Sequence, residues 1–406
     1  LPGTVSMDTL RYGALDARSP KYWALLIGLG LIAMIGVLSA HHMEVEGHVI
    51  SGMNNQIVWG MPHVFAVFLI VAASGALNVA SISSVFGKTE YKPLGRLSAL
   101  LAIALLAGGL AVLVLDLGRP DRLIVAMTTY NFKSIFAWNI LLYTGFFGIV
   151  GFYMWCMMDH GMQKFSKYAG LFAFIWRLIL TTGTGSIFGF LVARSAYDTA
   201  MLAPMFIMMS FAIGLAFYII VMLASYQWSE RPVGDLIVNR MRNLLGIFIA
   251  AVMYFVAVYH VTNLYATEHH AVEKFLLVDG GIFTQLFWYV QILLGGIVPL
   301  ALIYAPQTRN CRRALLAACG LVLIGGMAHI YIIIVGGQAF PIEMFPGMEI
   351  SSSFFDGEVS AYTPSIWEIL LGFGGVAITL LLVTVGVAIL DFLPESLADN
   401  IVSYKK

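Results

Sequence analysis

The sequence predicts an all-α integral membrane protein with ten transmembrane helices. Hydrophobic residues make up 60% of its 406 residues and charged residues only 11%, whereas about 25% charged is usual for a soluble domain. Apolar runs of about 20 residues, the length that crosses a bilayer as a helix, recur along the whole chain. We predict spans at 21–42, 58–86, 94–115, 134–158, 168–190, 203–227, 243–265, 281–305, 313–336 and 365–391.

The connections between these runs are short, so consecutive helices are expected to be antiparallel neighbours within one transmembrane domain covering 1–406. Only the two ends and the loops 43–57, 266–280 and 337–364 have room for other structure. The formal net charge of zero argues against a nucleic-acid partner and favours a surface covered by membrane lipids or protein. Three cysteines without a CxxC motif indicate neither a disulfide framework nor an iron–sulfur site.

The distribution of Lys and Arg predicts the orientation. With the N-terminus inside, sixteen of the 22 basic residues lie in inner segments, five lie in outer loops, and Arg177 lies within a span. Basic residues favour the cytoplasmic side, so we predict that both termini are cytoplasmic. Eight of the nine histidines then fall in or near the outer half, as do several acids, namely Glu44, Glu46, Glu268, Glu273, Glu343, Glu349 and Glu358.

One outer segment breaks the charge rule. The stretch Asp116–Asn139, DLGRPDRLIVAMTTYNFKSIFAWN, carries three of the five outer basic residues: Arg119, Arg122 and Lys133. A local exception to a general rule is typical of a functional site. The alternative is that the first two Asp–Arg pairs of the stretch bind each other and lock a surface loop, and the two roles are compatible.

Ionisable residues inside a membrane are functional candidates because lipid solvates charge poorly. Arg177 lies near the centre of the fifth span and must face protein, a carboxylate or water. His63 begins the second span and Asp116 ends the third on the same side, so two adjacent antiparallel helices can bring them together. The alternatives are that His63 only caps its helix or sits among headgroups, and that His260 and His329 are satisfied core histidines.

A cluster of His, Asp and Arg at one edge of an apolar bundle suits a lipid-soluble quinone. Quinol oxidation releases two protons with two electrons, and it needs a base near a ring oxygen and a polar exit to water. The inner half has no intramembrane histidine, which argues against a two-haem cytochrome. Because the sequence encodes no redox centre of its own, a partner subunit must hold one.

Two motifs, LDLGRPDR (Leu115–Arg122) and NFKSIFAWN (Asn131–Asn139), resemble the signature of the NrfD-like membrane subunits. That family includes the membrane subunits of polysulfide reductase, the hydrogenase subunit HybB and the alternative complex III subunits. Ten spans and the segment Gly336–Gly372 resemble its ten-span branch, and most of all DsrP of the DsrMKJOP complex.

The resemblance implies two four-helix bundles, spans 2–5 and 6–9, flanked by spans 1 and 10. It implies a subunit without haem or iron–sulfur cluster that exchanges electrons between menaquinone or ubiquinone and a periplasmic four-cluster, ferredoxin-like iron–sulfur subunit, in a redox complex of sulfur metabolism. Further partners would be a multihaem cytochrome and other membrane and cytoplasmic redox subunits. The implied location is the cytoplasmic (inner) membrane of a bacterium or archaeon.

In the family the quinone pocket lies on the outer side of the first bundle. The matching positions here are His63 and Asp116, which we predict as the catalytic residues. Arg119, Asn139 and Arg177 are predicted as further quinone-binding residues, and no metal site is predicted. If the two bundles are repeats, His260 occupies a place in the second bundle like that of Asp116 in the first.

Two other functions stay open at this point. The first is an ion-translocating subunit whose path is lined by Arg177, Asn78, His329 and the glycines Gly183, Gly185 and Gly189. The second is a passive membrane anchor. For the quinone hypothesis, the outer loops 43–57 and 337–364 are expected to dock the iron–sulfur protein.

Overall fold

A computed structural model describes residues 11–342 and 357–402. Within these residues, ten helices are long and apolar enough to cross a membrane, which confirms the predicted all-α membrane fold. The ten spans, numbered in chain order, are Pro20–Glu46, Met61–Ser84, Glu90–Leu115, Ile135–Met158, Gln163–Gly189, Leu202–Trp228, Asp235–Tyr265, Ile282–Tyr304, Arg312–Ala339 and Ile366–Ile389.

The observed ends differ from the predicted ones by a few residues at most positions. The largest difference is in span seven, which begins at Asp235 rather than at 243. Its first turns contain Asn239 and Arg242, and these polar residues end the apolar run without ending the helix. Hydropathy therefore locates the apolar part of a helix, while the backbone hydrogen bonds continue beyond it.

Local chemistry explains several helix starts. Span one begins at Pro20, whose missing N–H costs nothing in the first turn, and the Ser19 side chain accepts a hydrogen bond from the Tyr22 backbone N–H. Span ten begins with a capping box in which Ser365 and Glu368 each bind the other's backbone N–H. Each of these starts is therefore fixed by residues adjacent in the sequence.

Several spans are composite. Span two consists of Met61–Ala76 and Asn78–Ser84, and span three starts with a 3-10 turn at Thr89–Leu94 before Gly95–Leu115. Span five starts with the 3-10 turn Gln163–Phe165. Spans eight and nine contain π-helical segments, Leu286–Ile297 and Ile332–Gly336. The remaining short elements are the helices His48–Ile50, Pro120–Arg122, Leu123–Thr128, Thr267–His269, His270–Lys274, Phe275–Asp279 and Asp399–Val402, and the paired antiparallel strands Tyr12–Gly13 and Leu393–Pro394.

The spans pack as two groups of four. Spans two to five contact one another in a ring, and spans six to nine form a second ring. The groups meet where span two packs against span six, with Gly75 and Gly214 at the crossing. Span ten packs against spans two and three, and span one packs against span ten, so both flanking spans lie beside the first group. One buried apolar core runs through both groups.

The connections form two loop faces. We call the face that holds Asp116, with the loops after the odd-numbered spans, the Asp116 face; it is the face predicted to be outside. The opposite face holds the paired strands near the two ends, which Arg231 fastens by donating to the carbonyls of Gly13, Ala14 and Leu393. Four charged residues that entered the predictions above lie outside the described residues, namely Glu343, Glu349, Lys405 and Lys406.

Candidate functional site

His63 and Asp116 lie together at the Asp116 face. The Nδ1 atom of His63 is 3.0 Å from the Oδ2 atom of Asp116. The Asp116 side chain is only 1% exposed and that of His63 is 22% exposed. Neither carboxylate oxygen forms a hydrogen bond of good geometry within the chain, nor does His63 Nδ1. A buried carboxylate with unfilled hydrogen-bonding capacity is costly unless something else binds it, so the pair has capacity for a further polar partner.

A third group, His48, completes the pair from the loop after span one. Its Nε2 atom lies 3.2 Å from the Asp116 carbonyl oxygen and 3.6 Å from Oδ1 of the same residue. The His48 side chain is 34% exposed, so it connects the buried carboxylate with the face of the protein. From the sequence His48 is only one of the outer histidines, because nothing in its local pattern marks a contact with a residue 68 positions away.

Gly118 of the LDLGRP motif makes room for this contact. Its φ is +66°, which favours glycine, and a Cβ atom built there would lie 3.2 Å from the His48 ring. The glycine therefore serves both the turn after span three and the approach of His48.

The electrostatics of the three groups follow from their contacts. Burial by itself would raise the pKa of the Asp116 carboxyl, but the contacts with His48 and His63 outweigh it and hold that pKa below its usual value. The contact with Asp116 raises the pKa of His48 above its ordinary 6.5, against the opposing effect of partial burial. Asp116 is thus held as a carboxylate that stabilises a proton on its neighbour.

Aromatic rings border the pair on one side. The Trp59 ring lies 6.3 Å from the His63 ring, 6.0 Å from Phe136 and 5.8 Å from Phe188, between ring centroids. Phe136, in the first turn of span four, is 45% exposed. The side of a span that points away from the other helices faces lipid. The rings of Trp59 and Phe136 therefore form an apolar approach to His63 from the bilayer.

Side chains from distant elements fix the loop that leads into His63. The buried Gln338 amide of span nine accepts from the backbone N–H groups of Val58 and Trp59 and donates to the Trp59 carbonyl, all at 3.0 Å. Arg194 donates to the carbonyls of Gln338 and Gln56. The second four-helix group thereby positions an element of the first.

Glu368 at the start of span ten holds the same loop from the other side. Its fully buried carboxylate accepts from Gly52 N at 2.8 Å and from the Tyr362 hydroxyl at 2.7 Å. The Tyr362 oxygen in turn accepts from Met61 N, the first residue of span two. The attachment to this loop joins residues more than 300 positions apart, so it could not be read from the local capping box of Ser365 and Glu368.

The structure does not bring Arg119 to the pair. Its Nε donates to Asp121 Oδ1 at 3.0 Å, and the two side chains are 64% and 61% exposed. This is one of the pairings that the alternative for the stretch expected, whereas Asp116 contacts His48 and His63 instead. The side-chain contact of Arg119 is therefore with Asp121 and not with His63 or Asp116.

Asn139 and Arg177 lie elsewhere in the first group. The Asn139 amide donates to Ile135 and Gly183 carbonyls and links spans four and five. Arg177 lies about 18 Å below the Asp116-face end of span five, at about 1.5 Å per residue. Its guanidinium is fully buried between the rings of Phe174 and Phe211, 4.7 and 5.1 Å from their centroids. The hydrogen bonds of Asn139 and the ring contacts of Arg177 are therefore with groups other than His63 and Asp116.

His48 gives the site a pH-dependent stability that a variant can report. A raised folded-state pKa means that the stabilisation is complete below about 6.5, the value expected for the unfolded chain, and is lost as the pH rises through the folded-state value. We expect His48→Gln to lower the melting temperature clearly at about pH 5 and not at about pH 9. His41→Gln, on an exposed residue of span one, should show no such trend. A His48 effect that is equal at both pH values would contradict the contact.

Comparison with known proteins identifies one family and several similar membrane subunits. Residues 49–342 match the family described as Polysulphide reductase, NrfD. The chain is 26% identical over 396 residues to the Hdr-like menaquinol oxidoreductase integral membrane subunit of Archaeoglobus fulgidus, with 97% of this chain and 99% of that protein aligned. It is 25% identical to a putative dimethyl sulfoxide reductase membrane subunit of Halobacterium salinarum, with 90% of each aligned. It is also 25% identical to a polysulfide reductase chain of Wolinella succinogenes, with 70% and 96% aligned.

Proposed function

Since the chain belongs to the NrfD family of polysulphide reductase membrane proteins, we propose that it is the quinone-interacting membrane subunit of a multisubunit redox complex. It exchanges electrons between the quinone pool and a redox centre on a partner subunit. The observation that carries the proposal is the His63–Asp116 pair, buried yet without well-formed hydrogen bonds, beside an apolar approach from the bilayer.

The residues of the pair fit the headgroup of a quinol. A quinol hydroxyl donates a hydrogen bond, and an Asp116 oxygen accepts one; a quinone carbonyl accepts, and the protonated ring nitrogen of His63 donates. Trp59 and Phe136 supply the apolar surface that a hydrophobic ring system needs. A bound quinone supplies the two-electron, two-proton chemistry, and the protein supplies binding and proton transfer.

His63, Asp116 and His48 form a path for the protons along which side-chain exposure to water increases. Exposure rises from the Asp116 side chain (1%) through His63 (22%) to His48 (34%). During quinol oxidation the carboxylate takes up the two protons one after the other, and His48 passes each of them to water at the Asp116 face. The electrons leave to the partner's redox centre; in quinone reduction both movements reverse.

The proposed substrate and partner subunit are supported by the relatives and by the exposed loop after span one. The names of the relatives place them in menaquinol, dimethyl sulfoxide and polysulfide redox systems, which favours menaquinol as the substrate and a role in sulfur metabolism. We propose that the Asp116 face is periplasmic and docks an iron–sulfur subunit near Val49, which is 86% exposed beside His48. Both termini would then be cytoplasmic.

Quinone labelling tests the proposal directly. The full chain, purified in lipid nanodiscs, is irradiated with a photoreactive menaquinone analogue and the labelled peptides are identified. We expect saturable label in 47–63 and 116–138, displaced by excess menaquinone. A passive anchor predicts no saturable label, and saturable label confined to spans six to nine would overturn the assignment to the first group. The exposed variant Asp121→Asn should label like the natural protein.

A further inference from the structure

A cavity opens on the face opposite the Asp116 face, at the end of the first group of spans. Its volume is about 400 Å³, within the range of about 300–1,000 Å³ that is usual for small-molecule sites. The ends of spans two and four and the starts of spans three and five all contribute side chains to it. Because it lies on the other face from His63 and Asp116, the quinone function proposed above does not use it.

The side chains around the cavity carry positive charge. The described residues that line it include no Asp or Glu, and three of them are basic, namely Lys92, Arg96 and Lys167. Glu90, two residues before Lys92, is not among the lining residues and pairs with Arg240 at 3.2 Å. The cavity therefore favours an anion as its occupant.

Arg96 is held in a fixed position at the wall of the cavity. Its terminal nitrogens donate to the backbone carbonyls of Asp391 at 2.9 Å and Met157 at 3.0 Å. The Tyr12 ring stacks on the guanidinium, with its centroid 3.8 Å from Cζ. These partner groups are uncharged, so they orient the guanidinium without cancelling its charge. A positive charge that is already ordered costs less entropy when a ligand binds it.

Two spans begin at the cavity and direct further donors toward an anion. Lys92 lies in the 3-10 turn that opens span three, and Lys167 lies in the first turn of the helix Ser166–Gly189 of span five. The start of a helix favours negative charge, because the positive ends of its backbone dipoles lie there. Ser166 and Gln163 add a hydroxyl and an amide to the lining. Several cations together with neutral donors match the oxygens of a phosphate group.

Exposed aromatic rings beside the cavity provide an apolar surface on the lipid side. Phe86, which precedes Gly87 of the cavity wall, is 61% exposed. Its ring packs edge-on against Phe174 of span five, with 5.6 Å between the centroids. The ends of transmembrane helices lie near the boundary between headgroups and acyl chains. A phosphate in the cavity would thus lie next to a surface that an acyl chain can cover.

We propose that this cavity binds the phosphate group of an anionic phospholipid, with Lys92, Arg96 and Lys167 around the phosphate and an acyl chain along Phe86. Basic pockets between transmembrane helices are typical sites for anionic headgroups. The bound lipid joins the starts of spans three and five, and it stabilises the folded chain because it binds no unfolded form of the site. A soluble phosphate compound would offer the same group without an acyl chain, so the test separates the two sources.

Native mass spectrometry of the full chain in detergent, titrated with phosphatidylglycerol, tests the site. We expect a single phosphatidylglycerol to be retained in preference to phosphatidylcholine, whose headgroup has no net charge. Lys92→Gln and Lys167→Gln should each weaken its affinity by about fivefold, the effect of one basic residue near an anionic lipid. Lys164→Gln is the matched control, since the Lys164 ammonium lies over the Phe165 ring and does not line the cavity. It should leave the affinity unchanged.

Two results of this titration would overturn the site. Equal losses in Lys164→Gln and Lys167→Gln would show that the basic face attracts lipid without a defined pocket. Equal retention of phosphatidylcholine and phosphatidylglycerol would show that the charge of the cavity selects nothing.

Thermal melting of the same samples identifies the source of the phosphate. Phosphatidylglycerol should raise the melting temperature, and the rise should be smaller in the double variant Lys92→Gln/Lys167→Gln. Glycerol phosphate, which has the same phosphate chemistry without acyl chains, should neither raise it nor displace the lipid. Binding of glycerol phosphate without binding of phosphatidylglycerol would overturn the lipid as the ligand, and binding of neither would overturn the site. Neither measurement includes a quinone, so a failure here and a failure of the quinone proposal give different results.

Discussion

Replacing Asp116 by Asn is expected to lower quinol-dependent reduction of the partner's redox centre by about a hundredfold or more, the lower end of what a positioned base contributes. The amide has nearly the shape of the carboxylate but cannot take up a proton. His48 would also lose the charge that raises its pKa. His63→Ala should have an effect of similar size, because it removes the other polar group that faces a bound quinol.

The matched control for Asp116→Asn is Asp121→Asn, on the same loop. Asp121 makes its ion pair with Arg119 at the exposed surface, and exposed pairs contribute little, so this variant should retain full activity. Asp116→Asn and Asp121→Asn should both assemble in the complex, since an amide has nearly the shape of the carboxylate that it replaces. Normal electron transfer in both Asp116→Asn and His63→Ala would refute the assignment of the pair.

The second large effect is structural and concerns the crossing of spans two and six. A Cβ atom on Gly75 would fall on the Ser210 carbonyl, and one on Gly214 would fall on the backbone of Gly75. The two helices therefore touch through their backbones, as small residues allow in membranes. We expect Gly75→Leu to destabilise the protein by about 3 kcal/mol or more, the upper part of the range for overpacked cores.

Thermal melting of the purified protein in one fixed lipid and detergent mixture measures this effect. Gly28→Leu is the control: no atom lies within 4 Å of a Cβ at Gly28, so it should melt like the natural protein. Gly75→Leu should also lose quinol activity, because separating the two groups moves Gln338 away from the loop before His63. A normal melting temperature for Gly75→Leu would show that the helices do not cross as described.

Much of the candidate site could be predicted from the sequence because it depends on local and topological regularities. His63 begins the second span and the LDLGRP motif ends the third, and the antiparallel order of neighbouring spans places His63 near Asp116. His48 could not be found in this way, since its contact depends on how the loop after span one folds back. Glu273, which is buried against His260 in the second group, is likewise only an outer acid in the sequence, because its burial depends on a turn between spans seven and eight that has no apolar pattern of its own.

Arg119 shows the opposite case. Its place in the motif favoured a role in quinone binding, but a side chain that follows a turn can face either the protein or water. The direction is set by the turn geometry around Gly118 and by the nearby carboxylate of Asp121. Motif position therefore identified the stretch but did not determine which of its charges lies beside His63.

By itself the sequence determined the fold class, the number of spans and the face on which the titratable residues lie. Each of these depends on the length and polarity of segments of the chain. Both are properties of the sequence and do not depend on how the helices pack. Only the tertiary structure decided which polar groups meet. Contacts such as His48 with Asp116, Gln338 with the loop before His63, and His260 with Glu273 depend on helix rotation and loop path. Those are set by close packing at positions such as Gly75 and Gly214, where small differences in side-chain volume decide how near two helices approach.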